Sequence, residues 1–183
     1  MSKLLKIPDS LKPPTMYHHV FEQLDSNGRV FSVLLEGLSA DVYRWKQAPE
    51  KWCLLEIICH LYDEEREDFR ARLRHVLEQP EQPLPPIDPA GWVSARQYLG
   101  QSYEEKLTAF LIERKNSVQW LRSLQSPAWD NACLHPKLGA MSAHLFLSNW
   151  LAHDYLHIKQ ITRLKYDYLR DISGEALSYA GNW

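Results

Sequence analysis

Four long stretches of this chain repeat their apolar residues at spacings of three and four, and no stretch reads as a convincing strand. A period near 3.6 belongs to helices and a period of 2 to strands, so the pattern restricts the chain to an all-α fold. In the first stretch, from Met16 to about Leu38, Val20, Phe21, Leu24, Phe31, Leu34, Leu35 and Leu38 fall in phase. Asn27-Gly28 is a weak spot there, able to kink or split the helix. Pro49 is placed to open the second helix, from about Glu50 to Leu77, because proline is best tolerated in a first turn. The third runs from about Ser102 to Leu124, and the fourth from Ser142, a good N-cap, to about Lys165. Short helical pieces are expected near Trp92–Leu99 and Ser173–Tyr179. Gln79 to Pro89 holds too many prolines for helix or central strand and reads as an extended connection crossing one end of the bundle. SPAWDNACLHPKLG reads as a second irregular stretch and residues 1–15 as an irregular arm. Four long helices around one core make a four-helix bundle, expected as a single domain over residues 1–183.

Composition excludes several classes. Lys+Arg 21 against Asp+Glu 23 leaves a net charge of −2, with no basic field for nucleic acid or an anionic membrane. No apolar run approaches the roughly 20 residues of a membrane span. The opening MSKLLKIPDSLKPP lacks the continuous apolar segment of a signal peptide. Cys53, Cys59 and Cys133 form no CxxC and cannot all pair, which points to a reducing, cytoplasmic setting. Gly-rich phosphate loops, GxSxG and HExxH are missing, so nucleotide hydrolysis and serine-hydrolase chemistry are not expected.

The run FLSNWLAHDYLHIKQI places two histidines four residues apart in an apolar helix. At about 100° per residue, with His153 at zero, His157 falls near 40°, Phe146 and Leu164 near 20°, Trp150 near 60° and Ile161 near 80°. Both histidines therefore sit in the middle of the stripe that should be buried, while His144 falls opposite. Asn149 and Gln160 lie within about 40° of His153, more polar side chains than a core needs. Helix 2 offers a complement in EIICHLYDEE, where His60 borders the apolar stripe and Glu64 and Asp68 follow on the same border, near 40° and 80°. Three neutral imidazoles from two helices suit Zn, Ni, Fe or Cu with positions left for water or substrate. An i,i+4 histidine pair alone is equally compatible with buried histidines that hydrogen-bond backbone carbonyls.

EKWCLLEIICHLYDEE, IDPAGWV, HPKLGAMSAHLFLSNWLAHDYLHIKQI and the terminal YAGNW together resemble the DinB-like superfamily of four-helix bundles, over nearly the whole chain after the N-terminal arm. The resemblance implies a metal-binding triad at His60, His153 and His157, the set the helical wheel reaches independently. Members often carry a histidine doublet in the second motif, whereas Leu156 precedes His157 here. The resemblance also implies relation to transferases and isomerases that use low-molecular-weight thiols. The leading expectation is a metal-dependent thiol S-transferase of detoxification type, acting on a small molecule, with a divalent ion (Zn or Ni, then Fe) and a small thiol as co-substrate. The alternatives are a metal-dependent hydrolase and a non-catalytic, stress-associated metal-binding protein, so enzyme status stays open. Related bundles commonly pair, and a homodimer is compatible with spare apolar helix surface; nucleic-acid and membrane partners are not expected.

Glu64 is the candidate catalytic residue, with three competing roles: general base, fourth ligand, or partner that orients a liganding histidine, the last favoured. Asn149 and Trp150 are the candidate pocket residues, Trp150 as a wall beside both histidines. Asp154, about 100° from His153, is expected to pair with a basic residue or a neighbouring loop. Cys53 reads as core and Cys59 as a thiol on the more polar side of helix 2. Cys133 and His135 read as loop residues, His18-His19 as a non-chelating pair, and His75 as a helix-end residue.

Overall fold

The structure, a computed structural model, describes residues 13–135 and 138–181. Most of the expected N-terminal arm therefore lies outside the described residues, as do the last two residues of YAGNW; Pro13 already begins helix α1 (Pro13–Leu35). This helix runs unbroken through Asn27-Gly28. Asn27 is buried and donates to Asp154 Oδ2 at 3.1 Å. A Cβ on Gly28 would meet Arg114 Cγ at 3.3 Å, so glycine there lets the Arg114 side chain pass. The expected weak spot is instead a close approach between helices.

A one-turn helix α2 (Ala40–Tyr43), too short to leave a periodic signal, follows α1. Pro49 does not open the second long helix. Residues 48–51 form a turn, Lys51 N–H to Ala48 O at 2.9 Å, and α3 (Leu54–Asp63) starts after Cys53. The start is fixed by Glu56, whose carboxylate accepts the Cys53 N–H at 2.9 Å and pairs with Lys46 Nζ at 2.7 Å. A π-helical turn (Glu64–Phe69) joins α3 to α4 (Arg70–Glu78). Its cause lies in the buried positions Ile57, Leu61, Glu65, Phe69 and Leu73, which recur every four residues. In a straight α-helix that repeat drifts about 40° per step, about 160° over the span. One extra residue in a widened turn offsets about 100° of it and keeps all five facing the core.

The proline-rich connection ends at α5 (Pro89–Ala95), capped by Asp88, which accepts the Gly91 N–H at 3.0 Å. A 3-10 turn, Tyr98–Gly100, follows after Gln97, whose φ of 48 breaks the expected continuous piece in two. Arg96 fastens this segment to Glu67 and Asp63 with contacts of 2.7–2.9 Å. Ser102 caps α6 (Tyr103–Ser123), and Ser142 caps α7 (Ala143–Ser173), accepting the Leu145 N–H at 3.1 Å. Helix α7 runs two turns past the expected end and stops at Gly174, φ 65. Polar contacts hold those turns: Trp45 Nε1–H to Asp171 at 3.0 Å, and Gln47 and Arg163 to Asp167 at 3.2 and 2.9 Å. The expected final helix shrinks to a 3-10 turn, Leu177–Ala180. The stretch read as irregular before α7 holds a hairpin, β1 (Ala132–His135) antiparallel to β2 (Gly139–Ser142), with Cys133 opposite Met141.

Helix α1 packs against α6 and α7, and so does the α3–α4 unit, so the first two long segments sit diagonally across the four-helix bundle. The core divides into two apolar clusters, one around Phe31, Leu55, Phe110 and Ile161, the other around Leu24, Leu73, Val118 and Trp150. Along every long helix the residues between the two clusters are buried and polar: Asn27, Glu64 and Glu65, Arg114, Asp154 and His157. A polar layer therefore crosses the bundle at mid-height. No helix among the described residues is long and apolar enough to cross a membrane.

Candidate metal centre

The polar layer brings His60 of α3 together with His153 and His157 of α7; one side-chain nitrogen from each lies within 4.8 Å of the others. His153 Nε2 and His157 Nε2 are 3.0 Å apart. His60 is centred 5.4 Å from His153 and 5.0 Å from His157. His60 and His157 are buried and His153 is partly exposed, so the cluster meets solvent on the His153 side. The buried stripe of α7 runs through Phe146, Trp150, Asp154, His157 and Ile161, which places His153 on its shoulder and Asp154 at its centre.

Burial holds the imidazoles neutral. It lowers His60 to about 3 and His153 to about 2, in each case with further help from neighbouring His157, and it lowers His157 as well. Neutral imidazole is the form that binds a metal. Ligand bonds of about 2.0–2.1 Å set ligand atoms roughly 2.9 Å apart on an octahedral edge and roughly 3.3 Å on a tetrahedral one, so the Nε2 separation suits a shared ion. His60 Nδ1 has no hydrogen-bond partner, so no backbone carbonyl fixes its ring as in an ordinary core histidine. The donor set therefore fits a divalent transition metal.

Neutrality has a consequence for stability. Above about pH 6.5 these imidazoles are uncharged in the folded and unfolded chains alike, and pH acts on neither. Below it the unfolded chain takes up protons that the folded chain refuses, so stability falls as pH drops from 6.5 toward 3. For His60 the loss reaches roughly 2 kcal/mol by pH 5. Denaturant unfolding with chelator present should show the parent losing about that much more than His60→Leu between pH 7 and pH 5. Equal losses in the two proteins would contradict the buried neutral state.

Glu64 stands beside the triad, its Oε1 3.9 Å from His60 Nδ1. Burial, then a hydrogen bond to the Asp68 carboxyl, raises it to about 8. Asp68 is raised by burial and ion-pairs with Arg72 at 3.1 Å. Glu64 does not join the three mutually close ligand atoms. The two candidate pocket residues take other places. Asn149 is exposed and donates back to Leu145 O at 2.9 Å, so it turns away from the histidines. Trp150 is 1% exposed and donates through Nε1 to Glu65 Oε2 at 3.0 Å. Phe69 stacks on Trp150 and takes the expected position against His153, ring centres 4.9 Å apart. Trp52 packs on His60 at 4.9 Å.

The weaker candidates separate as follows. Cys53 is buried at the α3 cap. Cys59 is buried as well, against expectation, because the Tyr98 turn folds over that side of the helix, with Tyr98 O 3.9 Å from Cys59 Sγ. Cys133 contacts Pro80 O at 3.2 Å, while His135 Nδ1 accepts the Leu138 N–H at 3.1 Å. His75 pairs with Gln82 O at 3.1 Å, and His18 and His19 are exposed.

Arg114 escaped the sequence reading. It donates to both oxygens of Glu65 and both of Asp154, at 2.6–2.9 Å, and to Leu24 O at 3.1 Å. Its signal in the sequence was a charge midway between Phe110 and Val118, matched by opposite charges at the same phase in two other helices.

A four-helix bundle whose second and fourth long segments converge three neutral imidazoles defines a class of histidine-triad helical proteins. The chain belongs to the DinB superfamily, whose family model matches residues 23–161. Among solved structures it is similar to YfiT from Bacillus subtilis, described as a probable metal-dependent hydrolase with an unusual four-helix bundle topology. The TM-score is 0.75 over 90% of this chain and 93% of that one, at 16% identity, a likeness of fold. No curated protein matches the chain.

Proposed function

We propose that this protein is a divalent-metal-dependent enzyme that joins a small thiol to an electrophile, a thiol S-transferase. The observation that carries the reading is the convergence of three buried, neutral imidazoles whose cluster meets solvent on one side. A divalent ion held by His60, His153 and His157 supplies Lewis acidity, which favours the deprotonated form of a small nucleophile. The chain's own cysteines are buried elsewhere, so the nucleophile must come from solution. A thiol starts from a pKa of about 8.5 and water from about 15.7, so a thiol needs far less help. That difference matters here because Glu64, the nearest carboxyl, stands on the Nδ1 side of His60 and outside the close set of ligand atoms, so a nucleophile that needs little help from a base is favoured. Phe69 and Trp52 flank the histidines with aromatic surface that suits the apolar part of an electrophile.

Hydrolysis is the second reading, favoured by the description of YfiT as a probable metal-dependent hydrolase. Titrating cobalt-substituted protein with 2-mercaptoethanol separates the two. A sulfur-to-cobalt charge-transfer band in the parent, missing from a His153→Ala, His157→Ala variant, is expected for thiol transfer. No band, with turnover of activated esters by the metal-loaded parent, would replace the transferase with the hydrolase.

A further inference from the structure

We propose that Glu64 is a positioning residue for His60: its Oε1 accepts the His60 Nδ1–H, leaving Nε2 to face the metal, and the Asp68–Arg72 ion pair sets the carboxyl in place. The inference rests on the metal-dependent reading of the site and assigns the residue whose role that reading left open.

Two observations carry it. His60 Nδ1 and Glu64 Oε1 are both buried, both lack a hydrogen-bond partner, and lie 3.9 Å apart. Buried polar atoms are nearly always paired, and one bond between these two satisfies both. A small side-chain rotation closes the gap, and such contacts commonly tighten when a site is filled. The second observation is the structure behind Glu64. Asp68, one turn on in the π-helical segment, hydrogen-bonds to the Glu64 carboxyl and ion-pairs with Arg72 at 3.1 Å. Arg72 in turn donates to Pro85 O at 3.0 Å, which ties the chain of contacts to the proline-rich connection. Glu64 lies outside the close set of ligand nitrogens, which argues against a fourth ligand. A histidine ligand oriented by a carboxylate on its second nitrogen is a general device for fixing tautomer and ring direction.

The test reads tautomer and affinity separately from activity. Long-range proton–nitrogen NMR on metal-free, nitrogen-15-labelled protein reports which His60 nitrogen carries the proton. Competition with a chelating dye gives the zinc dissociation constant for the parent, Glu64→Leu, Glu64→Gln and Asp68→Asn. Expected are an Nδ1–H tautomer in the parent, its loss in Glu64→Leu, and zinc affinity lower by about 10- to 100-fold there. Glu64→Gln, whose amide oxygen still accepts, should keep the tautomer and most of the affinity, and Asp68→Asn should weaken binding by a smaller factor. Thermal unfolding of each variant shows whether it folds; if the leucine variant does not, the glutamine and asparagine variants decide on the same two readouts. An Nε2–H tautomer in the parent overturns the proposal, as does unchanged zinc affinity in folded Glu64→Leu. A parent that binds no zinc but keeps the Glu64-dependent Nδ1–H tautomer would remove the metal reading while leaving the His60–Glu64 bond standing.

Discussion

The His153→Ala, His157→Ala variant should bind no divalent ion at concentrations that saturate the parent. Removing a partner that orients a ligand already costs about 10- to 100-fold in affinity, and removing two of three ligands exceeds that. One imidazole alone, His60, remains, with Trp52 packed on it and Glu64, which lies outside the close set of ligand atoms, as the carboxyl beside it. The effect also appears as stability. An ion at 100 times its dissociation constant adds ~2.7 kcal/mol to a folded state that alone binds it. Elemental mass spectrometry on untagged protein gives the loading, and thermal unfolding with and without chelator gives the linkage. The parent should lose Tm on chelation and the variant should not. Equal loading of the two proteins would remove the triad as the site, and the single His–His contact at 3.0 Å would then be a core pair.

That centre is legible in the sequence because histidines are rare in an apolar stripe and their phase on a wheel survives small errors in helix ends. His153 and His157 share one turn of α7, and His60 lies in the regular part of α3, before the π-turn. What lay beyond the turn was less legible. The π-helical segment hides behind Glu65, a charged residue at a buried step of the four-residue repeat, so a count of apolar positions sees a gap there. Trp150 was misplaced for a related reason: its phase put it beside the histidines, but its indole N–H bonds Glu65, and Phe69 takes the place against His153. The last two turns of α7 were missed because charges on Asp167 and Asp171 hold them where apolar periodicity would have shown. The hairpin strands, four residues each, are too short for alternation to register.

The largest stability effect should come from Arg114→Met. Arg114 uses all five of its N–H donors: Glu65 and Asp154 receive four hydrogen bonds and Leu24 O a fifth. Through these it touches α1, the π-turn and α7 from its own place in α6, so all four long segments meet at one side chain. Each member is 3% exposed or less. Removing the guanidinium leaves two carboxylates buried, with Asn27 and Trp150 their only remaining side-chain donors among the described residues. Breaking a buried ion pair in this way costs about 3–5 kcal/mol, a large share of the roughly 5–15 kcal/mol that holds a domain folded. The sign with pH separates charge from packing. Without Arg114 the buried Asp154 carboxyl, already raised by burial, titrates still further above its unfolded value, so the folded chain takes up that proton first and the deficit shrinks as pH falls through that window. The triple variant Arg114→Met, Glu65→Gln, Asp154→Asn keeps acceptors for Asn27 and Trp150 but buries no charge, and it should recover more than half of the loss. Urea unfolding of the three proteins at pH 7 and pH 5 measures all of this. A single variant as stable as the parent would show that the polar layer does not hold the helices together. Because Asp154 lies between His153 and His157 and Glu65 follows Glu64, a destabilised Arg114→Met should also bind metal more weakly, through the disturbed setting of α7 against the π-turn.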